Sequence, residues 1–118
     1  MAFAPYEKKT CLRKNSFGIL EPVYQKKQLK TAPQLDLVLA PLVAFDPQGN
    51  RIGMGGGFYD RALEHLKSHG QRTRKHHPLF IGIAHEIQRV SNLQAQSWDI
   101  PLHAVITERR LRYFSREI

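Results

Sequence analysis

Two apolar runs, residues 35–45 and 79–84, enclose a glycine-rich loop and a stretch of helical spacing, and this succession constrains the fold more than any other feature. Leu35-Asp36-Leu37-Val38-Leu39-Ala40-Pro41-Leu42-Val43-Ala44-Phe45 is nearly continuous in apolar side chains, the pattern of a strand covered on both faces. Pro41 bends or divides it, because proline has no N–H to give a central ladder. Asp46-Pro47-Gln48-Gly49-Asn50 carries the chemistry of a tight reversal. After the glycines, Phe58, Tyr59, Ala62, Leu63 and Leu66 recur on one face of a helix, and Gly70 is placed to stop it. Residues 71–77 are polar and basic, an exposed loop, and Leu79-Phe80-Ile81-Gly82-Ile83-Ala84 is a second strand. Strand, loop, helix, strand is a βαβ unit. It predicts two parallel strands joined by a right-handed crossover.

The loop itself reads Gly53-Met54-Gly55-Gly56-Gly57-Phe58-Tyr59-Asp60-Arg61. Glycines admit close backbone approach and positive φ, so successive N–H groups can converge on one anion, and the N-terminus of a following helix adds to the same point. It is not a Walker A loop, which ends in Gly-Lys-Ser/Thr, nor a dinucleotide fingerprint, which needs glycine where Phe58 stands. Phosphate binding and a merely tight strand-to-helix turn both remain open on this pattern. Arg51, two residues upstream, has the geometry to grip phosphate oxygens.

Asp60 falls in the first helical turn, where a carboxylate complements the dipole or, beside a phosphate nest, can hold Mg²⁺. Asp99, in Ser97-Trp98-Asp99-Ile100-Pro101, offers a second carboxylate near a strand end, where ligands of α/β sheets gather. His65 and His69 with His76 and His77 make a transition-metal site conceivable, although no Cys or acidic partner completes it. His85 with Glu86, at the end of the second strand, is better placed, as a site residue or as a structural histidine.

At 118 residues the chain has the length of one domain with a real core, and its single cysteine, Cys11, forms no internal disulfide. The formal net charge is +8, concentrated in the first thirty residues at Lys8, Lys9, Arg13, Lys14, Lys26, Lys27 and Lys30. Such a bias favours anionic partners or is simply a solvated basic surface. No zinc-finger, recognition-helix or RNA-binding motif accompanies it, so nucleic acid is an unlikely partner. No apolar run reaches the length of a membrane span and no signal-peptide pattern opens the chain, which predicts a cytoplasmic protein without membrane partners. Residues 1–31, broken by Pro5, Gly18 and Pro22, read as loops with one or two short strands. Residues 90–98 read as a short helix or turn, 104–107 as a strand and 111–114 as another.

Pro41-Leu42-Val43-Ala44-Phe45-Asp46, the segment Gly49 to Arg61, Ile81-Gly82-Ile83-Ala84-His85-Glu86 and the segment Trp98 to Thr107, in this order and spacing, closely resemble the 5-formyltetrahydrofolate cyclo-ligase family. Asn15-Ser16-Phe17-Gly18-Ile19-Leu20-Glu21-Pro22 extends the resemblance across nearly the whole chain. It implies an α/β fold, a Rossmann-like three-layer sandwich with a mainly parallel sheet, incomplete at its N-terminal side. Residues 1–118 would be a single domain equivalent to the C-terminal part of the cyclo-ligase domain.

The activity implied is the ATP- and Mg²⁺-dependent conversion of 5-formyltetrahydrofolate to 5,10-methenyltetrahydrofolate. On the same resemblance, Arg51, Ile52, Gly53, Met54, Gly55, Gly56, Gly57, Phe58 and Tyr59 bind ATP, Met54 to Phe58 also line the folate side, and Asp60 and Asp99 hold Mg²⁺. The family carries a further N-terminal segment that this sequence does not match. That departure predicts weak turnover by the chain alone. Two other classes stand beside the enzyme: a basic module binding nucleic acid or a nucleotide, and a structural half that pairs with itself or with a separate chain.

Overall fold

The computed structural model describes residues 1–53, 55–69 and 78–114. Met54, the helix stop foreseen at Gly70, the loop at 71–77 with His76 and His77, and the side chain of His69 lie outside the described residues. The basic N-terminal third forms a hairpin, β1 (Leu12–Lys14) antiparallel to β2 (Leu20–Pro22). Asn15 closes its turn, its Oδ1 accepting the N–H groups of Phe17 and Ile19. The hairpin leaves Phe17, Ile19 and Leu20 exposed.

The first apolar run becomes β3 (Leu37–Pro41), and Pro41 is its last residue. A second hairpin follows, β4 (Ala44–Phe45) against β5 (Arg51–Ile52), folded around the reversal foreseen at residues 46–50. Asp46 builds that reversal: fully buried, it accepts N–H groups from Gln48, Asn50 and Leu93 and the side-chain amide of Asn50. The chain then enters α1 (Phe58–Ala62) and α2 (Glu64–His69). The sequence predicts one continuous helix here; the structure breaks it at Leu63, whose N–H bonds Tyr59 while its carbonyl accepts a three-residue bond from Leu66. Leu63 is buried, so the break falls where the helix meets the core.

The sheet is completed by β6 (Leu79–Ile83), β7 (Ala104–Ile106) and β8 (Leu111–Tyr113), in the order β3-β6-β7-β8. β3 and β6 pair in parallel, as the βαβ reading requires, as do β6 and β7, whereas β8 returns antiparallel to β7. The sheet is therefore mixed.

Its core lies mainly on one face, although Ala104, which points to the other, is also fully buried. Val38, Ala40, Phe80 and Val105 point inward and pack under Leu42, Phe45, Leu63, Ile100 and Leu102. Gly82 leaves room for the core above it: a Cβ there would meet Leu42 Cδ2 at 2.7 Å and Leu102 Cδ1 at 3.1 Å, so a larger residue would make those side chains shift. Phe45 and Phe80 are fully buried, each contributing about 2–3 kcal/mol of transfer free energy. The other face differs from the expectation of a strand covered on both sides: Leu37, Leu39 and Pro41 of β3 are exposed, alternating with buried Val38 and Ala40. An unbroken apolar run shows that both faces are apolar; what covers each is a tertiary fact. No described helix is long and apolar enough to cross a membrane.

Candidate functional site

The glycine loop leaves the end of β5 and turns into α1 at the carboxyl end of β3. Two of its glycines are required by backbone conformation, Gly55 at φ +98° and Gly57 at φ +66°, a left-handed region that side chains with Cβ enter at a cost. Gly57 is the residue before the helix, and its carbonyl accepts the N–H of Arg61. Gly53 is different: its φ is not positive and a Cβ would point into open space. The fold alone gives no reason for glycine there. The helix that follows the loop is only five residues long before its break, so the dipole behind the loop is smaller than the continuous helix foreseen from the sequence would supply.

A cleft of about 430 Å³ opens over this loop. Arg51, Ile52, Gly53, Gly55, Gly56, Gly57, Phe58, Tyr59, Asp60 and Asp99 all border it, together with Pro41, Gln94, Gln96 and Trp98. The two carboxylates singled out from sequence, 39 residues apart, thus share one cleft with the glycines. His85 and Glu86 do not border it.

Arg51 lies in the cleft wall with its guanidinium largely engaged. Its Nη2 donates to Asp60 Oδ1 at 2.7 Å and its plane covers the Phe80 ring at 4.8 Å, while Tyr59 stacks on the same phenyl ring. Both members of the pair are nearly buried, with side chains 8% and 14% exposed. Asp60 Oδ1 also accepts the N–H of Ile100 at 2.9 Å. One carboxylate oxygen therefore ties β5, α1 and the loop before β7 together. Asp99 holds its own turn, with Oδ2 accepting the N–H of Gln96 at 2.8 Å. Neither arrangement is visible in the spacing of these residues along the chain.

Two carboxylates beside a glycine turn are the kind of donor set that Mg²⁺ takes, one or two carboxylates with water and phosphate oxygens filling the shell. They do not suit a transition metal, and no group of three or more His, Cys, Asp or Glu side chains comes together among the described residues.

A second polar cluster sits at the carboxyl ends of β6 and β7. Glu86 accepts the Thr107 hydroxyl at 2.8 Å and an Arg112 N–H, and its own N–H donates to Glu108. The Thr107 hydroxyl, and then Arg112, hold the Glu86 carboxyl below its ordinary range despite some desolvation. His85, the sequence candidate, is mostly exposed with Nδ1 3.6 Å from Glu108. Its backbone N–H is capped by Gln88, whose amide also reaches the Leu42 carbonyl at 2.7 Å. This cluster fastens the strand ends to one another.

A mixed α/β sheet with a glycine turn, a basic side chain and two acids around one cleft at its carboxyl edge has the layout of α/β proteins that place their ligand sites at strand ends. The profile of the 5-formyltetrahydrofolate cyclo-ligase family matches residues 1–108, and the chain belongs to that family. It is 39% identical to the 5-formyltetrahydrofolate cyclo-ligase of Haemophilus influenzae over 90% of this chain and 53% of that protein. It is likewise 39% identical to the Escherichia coli cyclo-ligase, over 94% and 57%. Among solved structures, the 5,10-methenyltetrahydrofolate synthetase of Aquifex aeolicus superposes with a TM-score of 0.68 at 33% identity, covering 94% of this chain and 52% of that one. The synthetase of Mycoplasma pneumoniae gives 0.54 at 32% identity, over 80% and 52%. The chain spans about half the length of the relatives it matches.

Proposed function

We propose that this chain supplies the nucleotide-binding part of a 5-formyltetrahydrofolate cyclo-ligase, acting as one folding unit equivalent to the C-terminal part of that enzyme. The reaction would convert 5-formyltetrahydrofolate and ATP to 5,10-methenyltetrahydrofolate, ADP and phosphate. In the complete enzyme the sheet would be the middle layer of a Rossmann-like three-layer sandwich. The observation that carries the reading is the shared cleft: a loop with glycine required at Gly55 and Gly57, and glycine without structural need at Gly53, faces Asp60 and Asp99 in a chain of this family.

When bound, MgATP supplies the phosphoryl group that turns the formyl oxygen into a leaving group, after which the neighbouring amine closes the ring. The protein's contribution is positioning and charge neutralisation, with no covalent step of its own. N–H groups of residues 53–57 would converge on the phosphates. Asp99 and Asp60 would hold the ion, and the Arg51 guanidinium, anchored on Phe80 and Asp60, would place positive charge in the same wall. Phe58, 58% exposed beside the glycines, offers a ring face for the folate.

Equilibrium dialysis with labelled ATP tests this directly. Binding should require Mg²⁺ and fall at least tenfold in Asp99→Asn, which keeps an acceptor for the Gln96 N–H while removing the charge. Mg²⁺-independent binding, or binding untouched by Asp99→Asn and Gly53→Ala, would overturn the assignment of the cleft. Formation of the methenyl product, followed by its absorbance, tests the reaction itself.

A further inference from the structure

Two guanidinium groups stand near the glycine loop, and only one of them is committed. Arg51 gives its Nη2 to Asp60, lies over the Phe80 ring and is nearly buried. Among the described residues that border the cleft it is the one cation, and with Asp60 matching its charge the lining is left with the negative charge of Asp99. Such a lining repels a polyphosphate. Bound Mg²⁺ offsets part of that repulsion, while backbone N–H groups donate hydrogen bonds but bring no net charge.

Arg61, one turn into α1, folds back on the loop. Its backbone N–H bonds the Gly57 carbonyl at 3.1 Å, and its guanidinium covers the Phe58 ring with Cζ 5.3 Å from the centroid. A Cβ on Gly57 would lie 3.0 Å from Arg61 Nη1, so glycine at that position also leaves room for this group. The residue is exposed, and among the described residues no carboxylate pairs with it. A cation resting on a ring in water is held weakly, whereas one paired with a carboxylate in a nearly dry wall is not. Arg61 can therefore exchange its ring for an anion at small cost, and Arg51 cannot.

Its place gives that freedom a use. Gly57 belongs to the loop that would receive the phosphates, Phe58 to the wall that would receive the folate, and Arg61 touches both. The transferred group has to pass where those two walls meet. There the bond between the terminal phosphorus and its bridging oxygen breaks, ADP leaves with the electron pair, and the phosphorus gains a bond to the formyl oxygen.

We propose that Arg61 is a substrate-binding residue of this site, which leaves the Phe58 ring to hold the terminal phosphate of ATP and so distinguishes ATP from ADP. The inference rests on the reading of the cleft as a MgATP site. A planar fork of N–H donors matches phosphate oxygens in pairs and stays charged throughout the working pH range. Guanidinium groups aimed at a phosphoryl group in transit recur in phosphoryl transfer, because they neutralise charge where it develops.

Equilibrium dialysis of the intact chain with labelled ATP and labelled ADP, each with Mg²⁺, tests the assignment. Arg61→Gln is expected to weaken MgATP by about tenfold or more and MgADP by less than about twofold, with the melting temperature unchanged because the residue is exposed. Arg61→Lys keeps the charge without the fork, and its loss of MgATP should lie between those of the unmodified chain and Arg61→Gln. A loss shared equally by both nucleotides, or no loss of either, would overturn the role of Arg61 and leave the cleft's assignment standing, since the unmodified chain would still bind MgATP. An unmodified chain that takes up neither nucleotide would reject the site, and this residue with it. Should Arg61→Gln fail to fold, the preference of Arg61→Lys for ATP over ADP decides: a reduced preference supports the proposal, and one equal to that of the unmodified chain rejects it.

Discussion

Asp60 is asked to do two things, and they can be separated. Its Oδ1 pairs with Arg51 and caps Ile100 in a nearly dry setting, where removing one partner of an ion pair costs about 3–5 kcal/mol because the other charge is left stranded. Asp60→Ala is therefore expected to lower unfolding free energy by about 3–5 kcal/mol in urea titration, whereas Asp99→Asn should cost under about 1 kcal/mol, its acceptor role being preserved. A nucleotide-binding loss in Asp60→Ala would mix the two effects; in Asp99→Asn it would not. Asp46 gives the second test at this scale. Burial alone would raise its carboxyl from 3.8, but the bonds from Asn50, Leu93 and Gln48 outweigh that and hold it lower. A folded-state value below the unfolded one means that the contribution is fully present above about pH 4 and is lost as pH falls through the depressed value. Glu86 behaves in the same sense. The melting temperature should thus fall steeply below about pH 4, and Asp46→Asn should flatten that slope.

The glycine loop gives an element-scale contrast that position alone decides. Gly55→Ala must hold a Cβ at φ +98° and is expected to lose about 1–2 kcal/mol. Gly53→Ala meets no atom and needs no positive φ, so stability should hold or rise by up to about 1 kcal/mol through a stiffer unfolded chain. If residues 53–57 cradle phosphate, Gly53→Ala should nevertheless weaken MgATP binding, a split between melting temperature and affinity that a purely structural loop would not show. The parallel pairing of β3 with β6, the reversal at residues 46–50, and the strands at 104–106 and 111–113 were legible because each depends on local pattern. The break at Leu63 was not, since the apolar spacing runs straight through it. Nor was the Arg51–Asp60 pair, nine residues apart, which exists only because the β4–β5 hairpin brings Arg51 back beside α1. Asp60 and Asp99 could be suspected from sequence, but their common cleft depends on the crossover into β7 folding back over the core face.

At the scale of the whole molecule, the exposed N-terminal hairpin and the open sheet face should together be visible in the cost of unfolding. Denaturant sensitivity follows the area newly exposed on unfolding, and this chain already exposes 8898 Å² when folded. Its radius of gyration, 15.4 Å, likewise exceeds the ~13.5 Å of a compact chain of this length. With an unfolded area of about 20,000 Å² for this mass, folding hides about a fifth less surface than in a compact domain of equal size. The urea m-value is therefore expected about a fifth below that of a compact 118-residue protein, independent of protein concentration. An m-value at the compact level that holds on dilution would mean that the hairpin and the open face are closed within the monomer. A value that climbs with concentration would mean that copies close them for one another. Apolar runs in the sequence could not have distinguished these outcomes, because they record that a surface avoids water and not which chain shields it.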